Sequence, residues 1–125
     1  MAKQDLTVEI KAILKDYGED VQEQMVKIID EVSKEAQQRL KNTSPKRTGA
    51  YAKGWKRKRV RDRLATSFTV YNEPEGWKTH LLEYGHVIRN GKGTFGRTRG
   101  IPHIRPVDEW AAEEFEKRIK EEVSR

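Results

Sequence analysis

The stretch "SPKRTGAYAKGWKRKRVRDR", residues 44–63, decides how the chain is divided. It opens on punctuation, Ser44-Pro45 and then Thr48-Gly49, with no charge role. From Lys46 to Arg63 it then carries nine Lys/Arg against the single acid Asp62. That density reads either as a nucleic-acid arm or as a turn leading into a basic strand. Residues 65–72 arbitrate. In "ATSFTVYN", Phe68 and Val70 lie two apart and fall on one face of a strand. Arg61-Asp62-Arg63 is a polar turn before it, so Trp55–Val60 becomes the partner strand of an antiparallel hairpin. The long basic stems of "WKRKRV" cover a sheet face while their charges stay wet. Lysine and arginine near a sheet edge also discourage stray pairing. A solvated basic strand is therefore preferred over a dedicated nucleic-acid site.

Upstream, apolar residues recur at three- and four-residue spacing from Leu6 to Leu40, which predicts one long helix. Gly18 bends or breaks it near Tyr17. Asn42 and Pro45 end it. Downstream, "EPEGWKT" at 73–79 is a loop, and "HLLEYG" is one or two helical turns closed by Gly85. "HVIRNGKGTFGRTRG", residues 86–100, has four glycines and no periodicity, and is read as a mobile basic loop. "IPHIRP" is extended, since residues before proline avoid the α region. A C-terminal amphipathic helix begins at about Pro106, with its stripe at Val107, Trp110, Ala111, Phe115, Ile119 and Val123. The expectation is a single α+β domain over 1–125: a long N-terminal helix, a small antiparallel β-sheet, a glycine-rich basic loop and a C-terminal helix. Residues 1–5 are expected to be flexible.

Composition narrows the function. With 34% apolar and 37% charged residues, the core must be thin, and many such chains gain stability by assembling. The chain has no cysteine, so disulfides and thiolate metal sites are excluded, in keeping with a reducing compartment. No signal peptide and no membrane span are expected. The net charge of +6 is split into basic blocks at 46–63 and 86–105 between acidic ends. Such asymmetry suits an anionic partner, or copies of the chain meeting acid to base.

Candidate chemistry is weak. "GKGTFG" at 91–96 fits G-x-G-x-x-G, but the flanks "HVIRN" and "RTRGIP" lack the strand and helix that a dinucleotide site needs. His80, His86 and His103 show no metal-ligand spacing, and each reads as an isolated surface or hydrogen-bonded histidine. His86 beside Glu83 and Arg89 is the nearest thing to a ribonuclease-like acid–base cluster, a distant option that also extends to His103. No catalytic residue, cofactor or metal is expected. Trp77, in a polar loop, is the aromatic least explained by a core, and reads as a contact with a partner.

Three motifs in order carry a resemblance. "SPKRTGAYAKG" is similar to a P-x-x-T-G-x-L helix exit, "HLLEYGH" to h-x-x-E-[FY]-G, and "IPHIRPVDEW" to a P-x-x-R-P-A lead-in to a last helix. Together, over about residues 6–122, the chain resembles the tail-completion (head–tail joining, minor tail) proteins of long-tailed double-stranded DNA bacteriophages. The resemblance implies a non-enzymatic virion part. Copies of it would form a ring, commonly of six, between the capsid connector and the tail tube, after assembly in the host cytoplasm. It implies that Pro45, Thr48 and Gly49 shape the helix exit, that Glu83, Tyr84 and Gly85 fix the start of the long loop, and that Pro102, Arg105 and Pro106 place the last helix. Tyr51 stands where the family has an aliphatic residue, and the hairpin and loop are unusually basic. The candidate interaction surface is Lys56, Arg57, Lys58, Arg59, Trp77, Arg89, Lys92, Arg97 and Arg99. The alternative is a small basic nucleic-acid-binding protein whose two blocks form one cationic face; for the ring subunit, contact with DNA would be non-specific.

Overall fold

The computed structural model describes residues 5–46, 49–62, 64–90 and 93–123. Strand β1 (Val8–Ile13) leads to helix α1 (Glu19–Thr43), a short helix α2 (Ala50–Lys53) and the strands β2 (Trp55–Arg61) and β3 (Ala65–Asn72). Helix α3 (Lys78–Tyr84), strands β4 (Val87–Asn90) and β5 (Gly93–Arg97), and helix α4 (Ile104–Val123) complete the order. The architecture is α+β as expected, with the basic strand β2 at the edge of a three-stranded antiparallel sheet of order β1-β3-β2.

Two sequence expectations are corrected. The N-terminal segment to Ile13 is a strand, because Val8, Ile10, Ala12 and Leu14 alternate inward while Glu9, Lys11 and Ile13 point out. The period of two wins over the helical spacing of Leu6, Ile10, Ile13 and Leu14. The helix starts only after the Leu14–Gly18 turn, where the Gln22 side-chain amide donates to the carbonyls of Leu14 and Tyr17. The segment read as an aperiodic loop contains the antiparallel pair β4–β5, with an irregular register between Val87 and Arg89. Thr98 closes its base on the His86 backbone: its N–H donates to the His86 carbonyl, and its side-chain Oγ1 accepts from the His86 N–H. Lys92, part of the expected surface, lies outside the described residues.

The core is one layer between sheet and helices. From α1 it takes Met25, Ile28, Ile29, Val32, Ala36 and Leu40, spaced to form a single stripe. That stripe lies on the inner sheet face of Val8, Ile10, Phe68 and Val70. Helix α4 packs beside α1 through Val107 and Ala111, its Trp110 lying 3.8 Å beneath the Arg39 guanidinium. Arg118 of α4 joins its own Glu114 to Glu35 of α1, at 2.9 and 2.6 Å.

Strand alternation places the basic run on both faces. Cross-strand register puts Trp55, Arg57, Arg59 and Arg61 on the inner face with Phe68, and Lys56, Lys58 and Val60 on the outer face. Trp55 is buried, whereas Lys58 to Arg61 are exposed. Arg57 differs from its neighbours in the expected interaction surface. Its guanidinium crosses the Phe68 ring and bonds the Asp30 carboxylate and the Ser33 hydroxyl, each at 2.8 Å. Arg57 first, and Lys34 after it, hold the Asp30 carboxyl below its usual 3.8. A lowered carboxylate stabilises the fold above its ordinary value, and that contribution is lost as pH falls through the lower folded value. Asp30→Asn should therefore cost about 1 kcal/mol at pH 7, the upper end for a partly exposed pair. In urea titrations the difference from the parent should narrow as pH drops below 3.8. An undiminished difference at acidic pH would mean that Asp30 acts through its shape and not its charge.

Candidate functional site

The sequence predicts three motifs without predicting where they meet. They meet in one buried cluster. α1 ends because Ser44, buried, caps it: its backbone N–H and its hydroxyl both donate to the Leu40 carbonyl. The same hydroxyl accepts from the Trp55 indole N–H at 2.8 Å, tying the helix exit to the first residue of β2. Gln37 adds a bond from its side-chain amide to the Trp55 carbonyl. Between them Gly49 adopts φ 84°, a left-handed conformation that suits glycine, and starts α2. Pro45 is half-buried, and Thr48 lies outside the described residues.

α2 delivers Tyr51 to the centre. Its ring meets Trp55 and His103 edge to face, with centroids 5.6 and 5.5 Å away. The Tyr51 hydroxyl donates to His103 Nε2 at 2.7 Å. On the other side of the ring, His103 Nδ1 donates to the Ile101 carbonyl at 2.7 Å and lies 3.1 Å from the Glu83 carboxylate. Burial first, then the negative charge of Glu83, pushes the Tyr51 hydroxyl well above the usual phenol value, so it keeps the proton it donates.

Glu83 is the hub. It is 3% exposed. Its Oε1 accepts the backbone N–H groups of His103 and Ile104, each at 2.8 Å, and its Oε2 accepts that of Arg105 at 3.0 Å. These are donors at the start of α4, where no intrahelical acceptor exists and negative charge is favoured by the helix dipole. The Glu83 and α4 motifs are thus one device. Gly85 and Gly100 let the two segments cross: a Cβ on Gly85 would collide with the Thr98 carbonyl, and one on Gly100 with the Glu83 carbonyl at 2.6 Å. Ile101 N–H closes the crossing on the Leu82 carbonyl at 2.8 Å.

The remaining expected residues lie outside the buried hub. Tyr84 is exposed and stacks edge-on against His80. Pro102, Pro106 and Arg105 are exposed, with Arg105 Nε on Glu109 at 3.1 Å. Pro106 sits within the first turn of α4, which begins two residues earlier than expected. Lys56, Lys58 and Arg59 are exposed on β2, Trp77 stands at the start of α3, Arg89 belongs to β4, and Arg97 and Arg99 are exposed in and after β5. Tyr51, Ser44 and His103 carry the cluster although sequence reasoning assigns them no such role. The available signals are a serine directly before the helix-ending proline and a tyrosine replacing an aliphatic residue. The acid–base cluster imagined around His86 does not form, because Glu83 faces α4 and His86 bonds Thr98 at 3.0 Å. His103 is sealed from any substrate at 1% exposure.

Among the described residues no group of three His, Asp or Glu side chains is placed to hold a metal ion. No helix among them is long and apolar enough to cross a membrane. The polar groups gathered here fasten one element to another. Comparison with families finds one: a family model whose description reads "Bacteriophage HK97-gp10, putative tail-component" matches residues 9–85. The chain belongs to this HK97-gp10-like family of phage tail components, and as such is a structural part of a virion. No curated protein and no solved structure matches it significantly.

Glu83→Ala should destabilise the fold by about 3 kcal/mol or more, since it strands three N–H donors in a dry site. Glu83→Gln should cost less, because one oxygen remains for His103 and Ile104. Chemical denaturation gives the total. Amide exchange should localise the loss to residues 103–105; uniform loss along α4 and α1 would mean that Glu83 acts through packing instead.

Proposed function

We propose that this tail component is a neck subunit: copies form a ring that joins the capsid connector to the tail tube, acting by shape and self-association with no chemistry. The observation that supports it most is where large apolar residues remain uncovered. Ile13, Tyr17, Val60, Leu64, Trp77, Tyr84 and Ile101 are all between 45% and 58% exposed in a chain already short of apolar residues. A subunit that completes its burial against neighbours carries surface of this kind. The β4–β5 hairpin, with Arg97 exposed, is a second element we assign to contacts made on assembly.

Interrupting the gene should leave DNA-filled heads and complete but unattached tails, visible by electron microscopy, with joining restored by added protein. Normal virions without the protein would sink the reading.

A second reading, contact with passing DNA, is favoured by the run Lys58 to Arg61, exposed on both faces of an edge strand. The expected contact is non-specific. Fluorescence anisotropy with a short duplex should give a Kd of about micromolar or weaker that is lost between low and physiological salt. Affinity of about nanomolar at physiological salt would instead make DNA a principal partner.

A further inference from the structure

The three-stranded sheet has two edges, β1 and β2, and they differ. The alternation of an antiparallel ladder decides which backbone groups face each one. The Leu14 N–H donates to the Leu64 carbonyl, and this pair continues the β1–β3 register, so Val8, Ile10 and Ala12 exchange bonds with β3. Glu9, Lys11 and Ile13 turn their N–H and C=O groups the other way, to the open edge. Among the described residues nothing bonds them there. On the opposite edge the Asp62 N–H donates to the Ala65 carbonyl, which leaves the backbone of Arg57, Arg59 and Arg61 facing outward. Those arginines lie on the inner face, and inward-pointing charge guards an edge against added strands. From β1 only Val8, Ile10 and Ala12 point inward. That edge is unguarded.

It also has a floor. A groove of about 460 Å³ runs between residues 9–11 of β1 and Ala112, Phe115 and Ile119 of α4, with Met25 also in its wall. α1 meets all three strands, and α4 packs beside α1 against β1. Helices lie about 8–10 Å apart and strands about 4.8 Å, so α4 sits under the place of a fourth strand. The four charged residues lining the groove balance, Glu9 and Glu116 against Lys11 and Lys120, and Lys120 pairs with Glu116 at 3.0 Å. Charge selects no partner here; the backbone does.

We propose that the β1 edge receives an extended arm of a different protein as a fourth strand, laid over α4. Donors and acceptors recur along Glu9, Lys11 and Ile13 about every 6.8 Å, a repeat that only another extended backbone matches. A helix does not, because its N–H groups are bonded internally. The arm spans about 20 Å, the length of β1, with an apolar residue at every second position. One set of its side chains falls over Phe115 and Ile119, and the other lies beside Glu9 and Lys11 on the outer face. The sheet of a second copy does not fit. Its β1 would bring its own α4, and its β2 the α1 bonded to it through Gln37 and Asp30, into space that α4 already fills. The arm therefore carries no helix on its inner side. This contact is additional to ring formation and independent of it.

Amide exchange on the full chain reads the edge directly. The N–H groups of Glu9, Lys11 and Ile13 should be open, and those of Val8, Ile10 and Ala12 protected. The probe is a synthetic peptide with the sequence of β3, ATSFTVYN, which already pairs antiparallel with β1 and alternates about Phe68 and Val70. In excess it should protect the three open amides at least about tenfold, and its Phe68→Asp version should protect none. Ala112→Arg, at an exposed position lining the groove, should raise the peptide concentration required at least about tenfold and leave the urea midpoint unchanged. No protection at about millimolar peptide, protection at Arg59 and Arg61 instead, or protection indifferent to Ala112→Arg would overturn the added strand. Protection of the same amides that grows with protein concentration, without peptide, would assign the edge to a second copy and overturn the proposed occupant. Each of these results leaves the neck reading standing, since that reading is tested by interrupting the gene.

Discussion

A single carboxylate, that of Glu83, fixes where the last helix begins. Three backbone N–H groups at the start of α4 converge on its two oxygens inside a site sealed from water. An unpaired donor there would cost the full desolvation of its group, and three would cost a large share of a small domain's stability. The helix therefore starts where Glu83 is, and this start sets its direction. Val107 and Ala111 then fall against α1, and Arg118 reaches Glu35 about 21 Å along the axis, by the usual rise per residue from Ile104. Glu83 in turn sits on a short helix whose exit must pass Gly100 at backbone contact, which is why glycine occupies both 85 and 100.

The same cluster ties the front of the chain to the back. Ser44 joins the end of α1 to Trp55; Trp55 packs on Tyr51 and His103; His103 contacts Glu83. The hydroxyls of Ser44 and Tyr51, the Trp55 indole N–H and both His103 ring nitrogens are all bonded within it. Such a chain of bonds is worth most when complete, because a low-dielectric surrounding raises both the gain of a made bond and the cost of a missing one. A thin core gains disproportionately from it. The sheet contributes one apolar face, α1 one stripe, and little else is available in a sequence with 37% charged residues.

How much of this is legible in the sequence depends on the range of each signal. The β2–β3 hairpin, α1 from Glu19 onward and the stripe of α4 rest on local periodicity, and the sequence carries them plainly. β1 does not read as a strand because Leu6, Ile10, Ile13 and Leu14 satisfy a helical spacing as well as Val8, Ile10, Ala12 and Leu14 satisfy a strand. Only the partner strand β3 decides between them. The β4–β5 pair is masked by glycines and by an irregular register that leaves no alternation to see. Arg57 and Arg59 are the same residue type on the same face of the same strand, yet one bonds Asp30 and the other is exposed. The difference lies in α1, at a carboxylate 27 residues away that no local pattern links to either. Glu83 and the start of α4 are both marked positions in the sequence, but their pairing spans 20 residues and appears only in three dimensions.

The family match ends at Gly85, just past the hub, while the helix that the hub organises lies wholly beyond it. This boundary has a physical sense. Residues 9–85 contain nearly all of the three-stranded sheet, α1 and the carboxylate on which the last helix begins. That helix needs only a few free N–H groups at the right distance and an apolar stripe to lie on α1. The hairpin between, from Val87 to Arg97, is tied at its base by Thr98 and bounded by the crossing of Gly85 and Gly100. The frame of sheet, α1 and α4 and the hairpin are thus fastened at the same place, the crossing of Gly85 and Gly100 beside Glu83.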